Sequence, residues 1–201
     1  MISLNGLPLI TMELKNHYTG QNVDNAVRQY QTDRDPKEAL LAPKRCAVHF
    51  AIDDDEIKMC TALSGKSSWF LPFNKGVNGG AGNPINPNGV KTAYLWEEVL
   101  AKESLSDIIE NYAQVIKKTD DNGKEKESVI WPRYHQMDCV RALLKATKEG
   151  GVGQRFLIQH SAGSGKSNSI TWLAYQLVGL LDGTQALLDS VIVVTDRINL
   201  D

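Results

Sequence analysis

RFLIQHSAGSGKSNSI, residues 155–170, decides how the second half of the chain is read. A short apolar run leads into small residues, then Lys166, then a stretch with helical spacing. A loop of this type wraps main-chain N–H groups around the β-phosphate of a nucleotide. Gly163 and Gly165 permit the tight approach, with Ala162 and Ser164 next to them in the same loop. Lys166 would neutralise β/γ-phosphate charge, and Ser167 would offer a hydroxyl to Mg²⁺. His160 stands where the GxxxxGK[ST] pattern has its first glycine. Further on, VIVVT (191–195) is a second apolar run. A strand at RFLIQ, a helix from Lys166 to about Leu181 and a strand at VIVVT together predict a βαβ unit, hence an α/β region. The plainer alternative is a glycine-rich turn with a chance lysine.

Working outward, composition is that of an ordinary soluble chain. Its 201 residues suffice for one or two small domains, and 42% are hydrophobic against 23% charged. The formal net charge of -2 gives no global basic field, which leaves open a local nucleic-acid groove. Cys46, Cys60 and Cys139 are far apart with no CxxC pair, which points to reduced thiols of a cytoplasmic protein. No apolar run is long enough to cross a bilayer, and the start lacks a secretory pattern.

Upstream, ISLNGLPLITMELKN predicts a hairpin turning at Asn5-Gly6, with a second strand from about Leu7 to Lys15. A helix is expected over 22–33, with Val23, Ala26, Val27 and Tyr30 on one face. RCAVHFAI and EIKMCTAL, either side of Asp53-Asp54-Asp55, read as an antiparallel pair. FNKGVNGGAGNPINPNGVK reads as an irregular loop. Leu105, Ile108, Ile109, Tyr112, Val115 and Ile116 mark a helical stripe. KKTDDNGKEKES is charged and apolar-poor, a solvated linker or loop.

Period-two geometry places Glu13 and Lys15 on one face of the hairpin's second strand. An acidic residue two positions before a lysine at a strand end is the second half of the PD-(D/E)xK nuclease pattern. There the carboxylate holds Mg²⁺ and the lysine positions water or stabilises the phosphate. A surface strand with a salt-paired lysine is the alternative. No aspartate precedes Glu13; Asp24 is the first.

The run NGLPLITMELKN…TGQ…AVRQY, with FLPFN, the GAGNP loop, KTAYLWEEVL, PRYHQ and HSAGSGKSNSI in the same order, resembles type I restriction enzyme R subunits. The resemblance implies an α/β chain in two parts. A PD-(D/E)xK-like nuclease remnant with a mixed sheet would occupy 1–116, N-terminally incomplete. A linker would span 117–131, and the start of a RecA-like helicase ATP-binding domain would span 132–201, C-terminally incomplete. By position, Glu13 would be a metal ligand, Lys15 the catalytic lysine, and Tyr30 the tyrosine of a QxxxY helix motif in which Ala26 replaces the glutamine. A core aromatic role for Tyr30 stays equally open. Gln136 resembles the adenine-reading glutamine of superfamily 2 helicases, with Tyr134 or Arg133 near the base. VIVVTDRINLD resembles the next helicase motif, with Thr195, Asp196 and Arg197 as candidates for DNA-backbone contact.

The implied parent uses ATP and Mg²⁺ to translocate double-stranded DNA and cleave it, together with methyltransferase and specificity subunits. Lacking the aspartate and an acidic Walker B strand, the chain reads as a truncated fragment, inactive alone. Another superfamily 2 helicase-nuclease of DNA repair, or a non-catalytic nucleotide- or DNA-binding module, are the other readings.

Overall fold

The first 14 residues form the hairpin that the Asn-Gly dipeptide dictates. In the computed structural model, which describes residues 1–119, 123 and 125–195, β1 is Ile2–Leu4 and β2 is Leu7–Leu14. Asn5 and Gly6 both take positive φ, 48° and 81°, as a turn matching the strand twist requires. Helix α1, Val23–Arg28, follows; Asn22 accepts from the Asp24 and Asn25 amides while the Asn25 side chain accepts from Asn22 N. This reciprocal cap satisfies N–H groups that a helix start otherwise leaves unpaired. The helix then widens into a π-turn at Gln29–Asp33, closed by Arg34 N donating to Gln29 O at 3.1 Å. Val23, Ala26 and Tyr30 are buried, as the spacing predicts.

Strands β3 (Val48–Ile52), β4 (Ile57–Cys60) and β5 (Leu71–Pro72) complete a five-stranded sheet in the order β1-β2-β3-β4-β5. β2 and β3 are parallel, with Glu13 opposite Ala51, and α1 lies on the connection between them. The other pairs are antiparallel, so the sheet is mixed, as expected. On one face, Val23, Ala26 and Ala51 pack together, with Val27 and Phe70 against them. Ile10, Val48, Phe50, Ile57 and Phe73 are fully buried, with Phe50 and Phe73 edge to face at 5.2 Å. Burying a side chain of this size contributes about 2–3 kcal/mol.

The Gly/Asn/Pro loop has little regular structure but is tied down. Asn83 donates to Asp55 O and Asn74 Oδ1 while accepting from Lys75 N. Helix α2 is Lys102–Asn111, shorter than the stripe predicts. Val115 and Ile116 belong instead to strand β6 (Gln114–Thr119), which pairs antiparallel with β7 (Glu125–Ile130). The segment expected as a solvated linker is therefore largely a polar hairpin. Val115 faces Val129 near its base, and further out Lys117 pairs with Glu127, 3.5 Å apart.

The chain divides into two units, Met1–Arg133 and Tyr134–Asp201. In the second, α3 (Tyr134–Gly150) packs with α4 (Lys166–Val178), burying Met137, Val140 and Trp172. Helix α4 stops at Val178, short of Leu181, which falls in a two-residue strand β8 (Leu181–Asp182) paired with β9 (Gln185–Ala186).

The strands expected at RFLIQ and VIVVT are not formed. Neither run joins any ladder among the described residues, and Leu157 and Val194 are 94% and 88% exposed. A strand exists only through a neighbouring strand, and among the described residues neither run is paired with one. Among the described residues the predicted βαβ unit is thus reduced to its helix and loop, without a RecA-like sheet.

Candidate functional site

Alternation along β2 puts Thr11, Glu13 and Lys15 on the face covered by α1 and its π-turn. Each reaches a different partner. The Thr11 hydroxyl lies 2.8 Å from Tyr30 Oη and 2.6 Å from His49 Nδ1, in a buried network. Lys15 Nζ donates to Gln29 Oε1 at 2.6 Å. Glu13 Oε1 accepts from Arg34 Nε at 2.7 Å and from Nη2 at 2.6 Å. Glu13 and Lys15 therefore share a face without pairing with each other.

Tyr30 is fully buried, stacked at a tilt on Phe70 and edge-on to His49. Burial pushes its hydroxyl well above the ordinary phenol range, only partly opposed by the Thr11 bond. In this fold Tyr30 is a core aromatic with one polar tether. Burial also lowers the His49 imidazole from 6.5 to about 4. The Arg34 guanidinium is held above its usual value, first by its hydrogen bond to Glu13 and then by the Glu13 charge.

At the end of β3, Asp53 is buried and accepts three backbone amides: Val23 at 2.7 Å, Asp55 at 2.8 Å and Glu56 at 2.7 Å. It locks the start of α1 to the strand beside Lys15, whose N–H donates to Ile52 O at 2.8 Å.

The residues at Glu13 do not fit a divalent cation as they stand. Mg²⁺ wants oxygen ligands in near-octahedral array, and the Glu13 carboxylate is already occupied by Arg34. Among the described residues, no group of three or more His, Cys, Asp and Glu could hold a metal.

In the second unit, residues 161–165 turn into α4 with Gly163 at φ 71° and Gly165 at φ 79°, values that glycine adopts without strain. Lys166 Nζ folds back on the turn, donating to His160 O at 3.2 Å and Ser161 O at 2.9 Å. Ser167 lies half-buried in the first turn of α4, and Ala162 is exposed in the loop. Ser164 is 6% exposed and its hydroxyl has no partner among the described residues. From α3, Gln136 Nε2 donates to Ser164 O and Gly165 O at 3.2 and 2.9 Å, and His135 Nε2 approaches Ser164 O at 3.0 Å. Gln136 therefore braces the loop through its buried amide. Thr195 is exposed; Asp196 and Arg197 lie outside the described residues.

Sequence reasoning missed Thr11, Gln29, Arg34, His49 and His135. Thr11 was within reach, since it shares the period-two face of Glu13. The others meet their partners only through tertiary structure.

The mixed sheet, with its acid and lysine on one strand face, is compatible with an α/β nuclease-like fold. Residues 1–68 match the family described as Type I restriction enzyme R protein N terminus. The chain is also 28% identical, over 210 aligned residues, to the Type I restriction enzyme HindI endonuclease subunit of Haemophilus influenzae. That alignment covers 98% of this chain and 18% of the relative. The likeness to type I restriction R subunits read from the motifs is borne out by both comparisons. No solved structure matches the chain significantly. No helix among the described residues is long and apolar enough to cross a membrane.

Proposed function

We propose that this chain contributes a nuclease face and a nucleotide-phosphate loop to a cytoplasmic, ATP-dependent type I restriction endonuclease. Such an enzyme would move double-stranded DNA with ATP, cleave it by Mg²⁺-dependent phosphodiester hydrolysis, and assemble with methyltransferase and specificity subunits. The observation that carries the reading is the loop: Lys166 folded over a turn bracketed by two left-handed glycines, at the start of a 13-residue helix.

A triphosphate fits this arrangement. It would draw Lys166 off the neutral carbonyls of His160 and Ser161, because an ionised phosphate oxygen is the stronger acceptor. The Ala162–Gly165 amides and the N-terminus of α4 would face the phosphates. The unpartnered Ser164 hydroxyl is a further donor beside them, and Ser167 would meet the Mg²⁺ that arrives with the nucleotide. The adenine-reading role of Gln136 and the DNA-backbone roles of Thr195 and Arg197 belong to this proposal. On the nuclease face, Glu13 would hold metal and Lys15 would stabilise phosphate charge, with Tyr30 behind them through Thr11. Glu13 alone does not make a complete metal site.

Titrating the 201-residue chain with a fluorescent ATP analogue in Mg²⁺ tests the reading. Binding that weakens at least about tenfold in Lys166→Ala is expected, given the strength of a charge-assisted phosphate contact. No binding by the folded wild-type chain sinks it.

A further inference from the structure

The loop between β4 and β5 presents a tryptophan to solvent. Trp69 is 75% exposed, although this residue is well buried on average. Phe70, next in the chain, goes the other way: it lies at a tilt on Tyr30 and packs against the Val23, Ala26 and Ala51 cluster. One ring serves the core and its neighbour is left outside.

That exposure is not looseness. Ser68 is buried, and its hydroxyl accepts from Ser64 N at 2.8 Å while donating to Gly65 O at 2.7 Å. Ser67 N and Ser68 N donate to Ser64 O and Gly65 O at 3.2 and 2.9 Å. Gly65 takes φ 57°, a conformation open to glycine without strain. From the π-turn, Gln31 Nε2 donates to Ser68 O at 3.1 Å. Gln29 of that same turn holds Lys15. A single widened turn therefore fastens both the nuclease lysine and the loop that carries Trp69.

The loop, SGKSSW at 64–69, has one cation, three hydroxyls and no carboxylate. Lys66 and Ser67 are exposed beside the indole. A protein partner is met by a contiguous apolar patch. A lone indole among hydroxyls and an ammonium suits nucleic acid instead, with the ring against a base and the cation against a phosphate. Inside a duplex each base face is covered by its stacked neighbours. The ring therefore needs a base that is out of the stack.

We propose that loop 64–69 is a contact for single-stranded DNA, in which Trp69 stacks on an unpaired base and Lys66 meets the adjoining phosphate. Trp69 is a positioning residue: it holds a strand on the unit that carries the nuclease face and takes no part in breaking a bond. The contact reads no sequence, since every base offers a π-face. This proposal rests on the reading of the Glu13–Lys15 face as a nuclease.

The test is binding of the 201-residue chain to a labelled single strand of about 12 nucleotides and to the blunt duplex of the same sequence, read by anisotropy. Trp69→Ala is expected to bind the single strand at least about fivefold more weakly, the loss of one stacked base. Trp69→Phe should recover most of that affinity while removing the tryptophan quenching that accompanies binding. Lys66→Gln should lower the slope of log affinity against log salt by about 0.7, one phosphate contact on a single strand. Both side chains are exposed, so these variants keep the fold. Wild-type affinity in Trp69→Ala, with weaker binding in Lys15→Ala, overturns the proposal and leaves the nuclease reading standing. A loss of equal size on the blunt duplex also overturns it. If the folded wild-type chain binds neither DNA, both readings fall together.

Discussion

Acid should weaken the first unit through His49, and replacing that residue should remove the effect. His49 is 2% exposed, its ring lies edge-on to Tyr30, and its Nδ1 sits 2.6 Å from the Thr11 hydroxyl. Burial lowers its pKa from 6.5 to about 4. Above the unfolded value the imidazole is neutral in both states and contributes nothing to pH dependence. Between 6.5 and about 4 only the unfolded chain takes up the proton, so stability falls as pH falls. The slope approaches about 1.4 kcal/mol per pH unit, and the total loss levels off at roughly 3 kcal/mol once the folded form is protonated too. Against a typical domain stability of about 5–15 kcal/mol this is a large fraction.

The assay is urea denaturation at a series of pH values, following amide resonances of β2 and β3, for wild type and His49→Gln. Carboxylates titrate in both proteins and cancel in the difference. The two stability curves should diverge as pH drops below about 6.5, with wild type falling faster. Parallel curves between 6.5 and 4 would refute the buried neutral imidazole and, with it, the Thr11–Tyr30–His49 network.

Asp53→Ala should cost about 3 kcal/mol or more, because three backbone amides lose a buried charged acceptor at once. A shift of the urea midpoint worth less than about 1 kcal/mol would mean those amides find other partners. Gln29→Ala should make Lys15 about two- to fivefold more reactive toward an acylating reagent, mapped by mass spectrometry, with the other lysines unchanged. An unaltered Lys15 rate would deny the Lys15–Gln29 bond in solution.

Elements set by local pattern were legible from residues alone. Asn5-Gly6 announces the hairpin, and Val23, Ala26 and Tyr30 announce the buried face of α1. The Asp53–Asp55 turn separates β3 from β4. The β6–β7 hairpin was not legible, because its outer half, 117–119 against 125–127, is charged and polar. Glu127 draws both Lys117 and Lys44, and neither contact leaves an apolar signature. RFLIQ and VIVVT failed in the opposite sense: apolar content marks a run suited to a strand without supplying the neighbour that makes it one. The shared face of Glu13 and Lys15 follows from strand periodicity. Their partners do not, since Gln29 and Arg34 come from a π-turn 14 and 21 residues away.

That widened turn bears on how such chains should be compared. Position 26, where the resemblance leads one to look for a glutamine, holds alanine, and a column-by-column alignment would score a loss. In space, Lys15 nonetheless meets a carboxamide, supplied from three residues further along where the helix loosens. Chemistry of this kind can migrate along a helix while the atom it serves stays in place, so diverged relatives are better matched by what touches the lysine than by register.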